Sequence, residues 1–228
     1  MKIRTLIKVL LLITGGLCVL STAMNWPDLE LYIKPTTVPL FFMLYWFNTK
    51  RISIPFLLVL LLCFLGDIFL LTDFQHSFIY VLLSYGVCYL LLFYFLYKNH
   101  KPIDYDGTDI AYVSIFFVVW SLIVYEIYDA IHVGMGDIKH YGLVYLLILY
   151  VLFIGAVFHY VNVRSTKSLW FLIAVLNFVI SDACFALNKF YVSSIEFEII
   201  NSIYQLLAVF FLVQFKISSS TSLKLNKL

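Results

Sequence analysis

A single bundle of membrane-spanning α-helices is the fold this sequence predicts, and three observations predict it. Hydrophobic residues fill 63% of the 228 positions and charged residues only 12%, against about 25% charged in soluble domains. Apolar runs of about 17–25 residues, each able to cross the hydrocarbon core as a helix, recur along the chain. The alternating ten-residue pattern of a membrane β-barrel is absent. The class is all-α, one integral membrane domain over residues 1–228.

Apolar continuity sets eight spans, at 6–24, 35–49, 54–72, 77–97, 110–130, 141–161, 168–188 and 196–215. Lys2, Arg4 and Lys8 precede the first run as they would in a signal peptide, and Ser21, Thr22 and Ala23 are small. No soluble domain follows, so the first span reads as a retained start helix. The second span carries Pro35 and Pro39 near its start, where a helix's first turn tolerates proline. The remaining six are uninterrupted, joined by short loops of which 98–109 and 130–140 are the longest.

Charge tests this order. With the N-terminus inside, twelve of the fifteen Lys and Arg fall on cytoplasmic segments, and only Lys34, Lys139 and Lys189 fall outside. That asymmetry is the positive-inside pattern, and one helix more or fewer would scramble it. Both termini are therefore expected in the cytoplasm of a multi-pass protein of the cell membrane. The basic tail, KISSSTSLKLNKL, is read as a disordered topogenic segment that can touch anionic lipid. No basic stripe suggests nucleic acid.

Cys18, Cys63, Cys88 and Cys184 lie in apolar spans without CxxC spacing and read as small packing residues. His76, His100, His132, His140 and His159 show neither HExxH nor i,i+4 spacing, so no metal site is expected.

The informative residues are Asp67, in LLCFLGDIFLL, and Asp182, in LNFVISDACFAL. A charge at the bilayer centre costs about 2.5–3.5 kcal/mol on insertion scales, so intramembrane carboxylates mark catalysis, an ion path or a buried structural pair. Both lie near the outer end of an outward-running helix, roughly 6–9 Å below the surface at 1.5 Å per residue. GDIFLLTDF and SDACFALNKF even echo each other, as in a parallel repeat. Lys34 enters the same mouth at the start of the second span. Asn201, Tyr204 and Gln205 share one face of the outer half of the eighth span. Tyr80, Ser84 and Tyr85 reach comparable depth, and Asn188 and Lys189 close the seventh span.

Lys34, Asn188, Asn201, Tyr204 and Gln205 are thus candidate substrate-binding residues, and Asp67 and Asp182 the candidate catalytic pair. Interhelical hydrogen bonds, worth about 0.6–2 kcal/mol each, account for the amides and Tyr204 individually but poorly for two carboxylates. Glu126 and Asp129 sit near a loop and read as solvated. Two carboxyls in low dielectric resist double ionisation. One protonated and one ionised carboxyl serves general acid–base hydrolysis, and equally a proton-coupled solute or lipid transporter.

KPTTVPLFF (34–42), CFLGDIFLL (63–71), RSTKSLWFLIAVLNFVISDACFALNKF (164–190) and IYQLL (203–207) resemble the YhhN family, which includes the animal lysoplasmalogenases. The resemblance spans nearly the whole chain with the same eight-span layout. Many relatives have a His-Tyr pair where this chain reads Cys88-Tyr89, and Tyr204 directly abuts Gln205 in the Tyr-x-x-Gln-type element. The resemblance implies hydrolysis of the vinyl-ether bond of a lysophospholipid substrate by Asp67 and Asp182, without metal or organic cofactor. It implies a phosphate near Lys34 or Lys189 and the aldehyde chain among apolar, aromatic walls. A related hydrolase acting on another lipid fits the same residues.

Overall fold

The structure, a computed structural model, describes residues 2–72, 77–99, 102 and 105–225. Among them lie eight α-helices: α1 (Lys2–Ala23), α2 (Pro27–Asn48), α3 (Ile54–Leu71), α4 (Ser77–Lys98), α5 (Gly107–Ile131), α6 (Lys139–Val163), α7 (Thr166–Phe190) and α8 (Ile195–Leu225), with a 3-10 turn at Gly136–Ile138 before α6. No strand occurs among the described residues. His76, His100, Lys101, part of the 98–109 loop, the end of the GDIFLLTDF echo and the last three residues lie outside them.

Seven helices are long and apolar enough to cross a membrane, all but α2. Their outer faces suit lipid. On α5, Tyr112, Ile115 and Leu122 are each at least 60% exposed, a contiguous apolar surface that soluble monomers do not carry. The chain is a multi-pass membrane protein.

Two expectations change. The second helix starts at Pro27 rather than Pro35, because Pro27 fits a helix's first turn and Asp28 and Glu30 favour its N-terminal dipole. Pro35 and Pro39 consequently lie inside α2, where Thr36 and Thr37 hydroxyls donate to the carbonyls of Ile33 and Lys34. The tail expected to be disordered is helical as far as Leu225, since α8 continues through the serine-rich stretch.

Contacts run from α1 through α2, α3, α4, α6, α7 and α8 back to α1, closing a seven-helix ring. α5 packs outside it, against α6 and α7. Helices in lipid gain little from hydrophobic exclusion and associate through close packing of small residues. Cys63, Cys88, Ala156, Ala174 and Ala208 accordingly are fully buried at the helix seams, between Phe56, Leu92, Leu152, Phe178 and Leu212. Cys63 and Cys88 bring their Sγ atoms to 3.7 Å, which fits the packing role expected of them.

The connections are held locally. Asp106 caps α5 through the backbone N–H of Asp109 and accepts from Thr108. Those hydrogen bonds hold its carboxyl below the ordinary aspartate range. Arg164, in the left-handed region at φ 44°, ends α6 and grips both carboxylate oxygens of Asp109. Ser165 and Ser168 then form a capping box that starts α7. At the other end, Gly134 meets α7 so closely that an added Cβ would lie 2.1 Å from the Phe190 carbonyl oxygen.

Candidate active site

Near the C-terminal ends of α3 and α7 the ring encloses a cavity of about 1170 Å³, counting its open mouth. Its walls are mostly apolar, with Asp67 and Asp182 both on them. α5 also reaches it, through Trp120 and Val124. Small-molecule sites have this character, an apolar cleft with a few convergent polar groups.

Asp67 is 4% exposed. The Tyr85 hydroxyl on α4 donates to its Oδ1 at 2.6 Å. Tyr85 is in turn fed by Gln205 Nε2 on α8, at 2.6 Å. Gln205 is oriented from α7: the Ser181 hydroxyl lies 3.2 Å from Gln205 Oε1 and 2.6 Å from Asn201 Oδ1. The Gly-Asp order has a steric reason. A Cβ on Gly66 would fall 2.5 Å from the Tyr85 ring, so only glycine lets that ring lie against α3 and reach the next residue's carboxylate.

Asp182 is half-buried and held differently. Tyr89 on α4 and Tyr145 on α6 each donate to its Oδ2 at 2.6 Å. Its Oδ1 has no hydrogen-bond partner among the described residues. The Tyr85, Tyr89 and Tyr145 rings follow one another at 6.3 and 5.7 Å between centroids, with Tyr85 and Tyr145 on the cavity wall and Tyr89 packed behind it.

Lys34 sits on the same cavity, 8% exposed, with its ammonium 3.1 Å from Glu30 Oε1 and within electrostatic range of Asp67. It is a wall residue within α2, not a surface anchor at a helix start. Asn201 and Gln205 also line the cavity. Asn188 and Tyr204 do not. Asn188 instead ties the α7–α8 turn, donating to Glu198 and accepting from the Ser194 backbone. Lys189 lies over the rings of Phe78 and Phe185, two wall residues. Glu126 and Asp129 are exposed, as expected.

Three site residues were not singled out from sequence. Tyr89 shares a face with Tyr85 at i,i+4, a signal the sequence does contain. Tyr145 carries none, because its meeting with Asp182 depends on how α6 packs beside α4 and α7. Trp120, 9% exposed, presents a buried indole N–H with no partner among the described residues on the cavity wall.

Comparison with known sequences adds the family. The YhhN family profile matches residues 29–221, and the chain belongs to that family. No curated protein and no solved structure matches it.

Proposed function

We propose that this protein is a membrane-embedded lysoplasmalogenase-like hydrolase that cleaves the vinyl-ether bond of a lysophospholipid by carboxyl acid–base catalysis. The observation that supports this reading most is the placement of two carboxylates from different helices on one apolar cavity, each gripped by tyrosine hydroxyls.

In this reading Asp182 acts as the acid, with the proton carried on Oδ1, the oxygen that Tyr89 and Tyr145 do not engage. That proton goes to the outer vinyl carbon, and the carbon–carbon π pair forms the new C–H bond. The ether oxygen then shares the cationic charge as an oxocarbenium ion. Asp67, with Lys34 as a counter-charge beside it, stays a carboxylate that stabilises this cation and accepts a proton from the attacking water. The logic parallels the carboxylate pairs of glycosidases. The hemiacetal so formed breaks its bond to the glycerol oxygen as its hydroxyl loses a proton and the leaving oxygen gains one, which releases a fatty aldehyde and a glycerophospho-headgroup. One water is consumed, and the acid is restored by the proton passed on. In the same reading Asn201 and Gln205, which line the cavity, bind the glycerol, and Lys34 the phosphate.

The test is aldehyde release by detergent-purified protein offered vinyl-ether and ester lysophospholipids. Aldehyde from the vinyl ether, without any ion gradient, is the expected result. A protein that releases none, yet moves solute in sealed vesicles, would be a transporter. Cleavage of the ester alone would make it a different lipid hydrolase.

A further inference from the structure

The opposite end of the bundle holds a second concentration of charge that the cavity chemistry does not use. Lys216 on α8 is half-buried and stands 3.5 Å above the centroid of Phe95, with the rings of Phe56 and Phe215 at 5.6 and 5.8 Å. Lys167 on α7 lies 5.5 Å from the same Phe215 ring and donates to Asn99 Oδ1. Lys98, at the end of α4, stands near Tyr94 and within electrostatic range of Lys216. Lys216 and Lys167, from two helices, therefore share the Phe215 ring, and Lys98 from a third helix is within electrostatic range of Lys216.

Ordinary topogenic cations project into water and need no explanation. Lys216 does not project; it is desolvated against rings beside two like charges. Among the described residues the ion pairs go to Lys34, His132 and Arg164, and none reaches this cluster. Arg164, at the same end of the bundle, is the instructive contrast, because Asp109 neutralises it. Ring faces attract a cation but leave its net charge in place, so a trio with no ion pair among the described residues calls for an anion from outside. At this depth, where helices leave the hydrocarbon, the available anion of that kind is a lipid phosphate.

We propose that Lys98, Lys167 and Lys216 bind the phosphate of an anionic phospholipid headgroup, in the leaflet at the bundle end opposite Asp67 and Asp182. The acyl chains of that lipid run along the outer face of the bundle, and the aromatic rings bear the lysine stems. The site is independent of the hydrolase reading and stands or falls without it.

Full-length protein in detergent, titrated with phosphatidylglycerol or phosphatidylcholine and read by native mass spectrometry, tests this. Saturable retention of phosphatidylglycerol over phosphatidylcholine is expected, weakened about fivefold for each lysine removed in Lys167→Met and Lys216→Met. Lys139→Met, at the start of α6 at the other end, should bind like the parent. Equal retention of both lipids, or unchanged retention in the double variant, overturns the proposal. So does saturable binding of inorganic phosphate with no selective lipid, which would make this a free-phosphate site. Should Lys216→Met fail to fold, Lys98→Met with Lys167→Met, both at helix ends, decides by the same readout. Parent-like retention there is equally contrary.

Discussion

The hydroxyls on the two aspartates do separate jobs. Tyr85 fixes Asp67 and is itself fixed by Gln205, so Tyr85→Phe removes a positioned donor from a buried carboxylate. Hydrogen bonds to charged groups are worth about 1.5–3 kcal/mol, so turnover should fall about 10- to 100-fold. Tyr89→Phe and Tyr145→Phe each leave Asp182 with one donor, and a milder loss is expected from either alone than from both. If the double Tyr variant turns over like the parent, the tyrosines merely pack. Gly66→Ala tests the same geometry by another route. It should displace the Tyr85 ring and lower activity as Tyr85→Phe does. Lys34→Met should raise KM for phosphate-bearing substrate while Lys139→Met changes little, and equal behaviour of the two would remove Lys34 from the site. Asp67 and Asp182 stand out in sequence because charge inside an apolar run is conspicuous. Tyrosine inside such a run is not, which is why Tyr145 went unmarked among 17 tyrosines.

The helices themselves were legible, since apolar length and short loops leave little freedom, but their ends were not. The proline pair suggested a start near Lys34, whereas Pro27, Asp28 and Glu30 nucleate α2 a full two turns earlier. That shift moves Lys34 from the rim to the wall. Asn188 lies off the cavity for a related reason: its side chain satisfies the α7–α8 turn, a demand of backbone hydrogen bonding invisible to depth counting. The other end of α7 offers a clean stability test. Ser165→Ala breaks the capping box and should cost about 1 kcal/mol, measured as an earlier unfolding midpoint with unchanged turnover per folded molecule. A turnover loss without a stability loss would tie the α6–α7 turn to the site.

At the scale of the molecule, the seven-helix ring with α5 outside it could not be read from a linear sequence, because helix order along the chain does not state which helices touch. Composition, charge order and depth counting bring Asp67 and Asp182 to the same end of the bundle, where the structure has both on one cavity. The tyrosine hydroxyls that meet Asp67 and Asp182 depend on how the ring closes. Orientation rests on the distribution of cations. A reporter inserted at Gly136 should read outside and one near Arg164 inside. The reverse reading would place the cavity mouth in the other leaflet and the lysine cluster outside.

The central claim is that Asp67 and Asp182 act as one acid–base pair, and the most direct measurement is vinyl-ether cleavage by Asp67→Asn, Asp182→Asn and the double variant. All three must first be shown to be folded by unfolding midpoint and membrane yield, with Asp129→Asn as the exposed control. Each single variant should lose about 10²–10⁴-fold in turnover, and the double should lose scarcely more than the worse single, because residues acting as a unit are non-additive. Well-folded single variants that release aldehyde at the parent's rate would contradict the assignment outright.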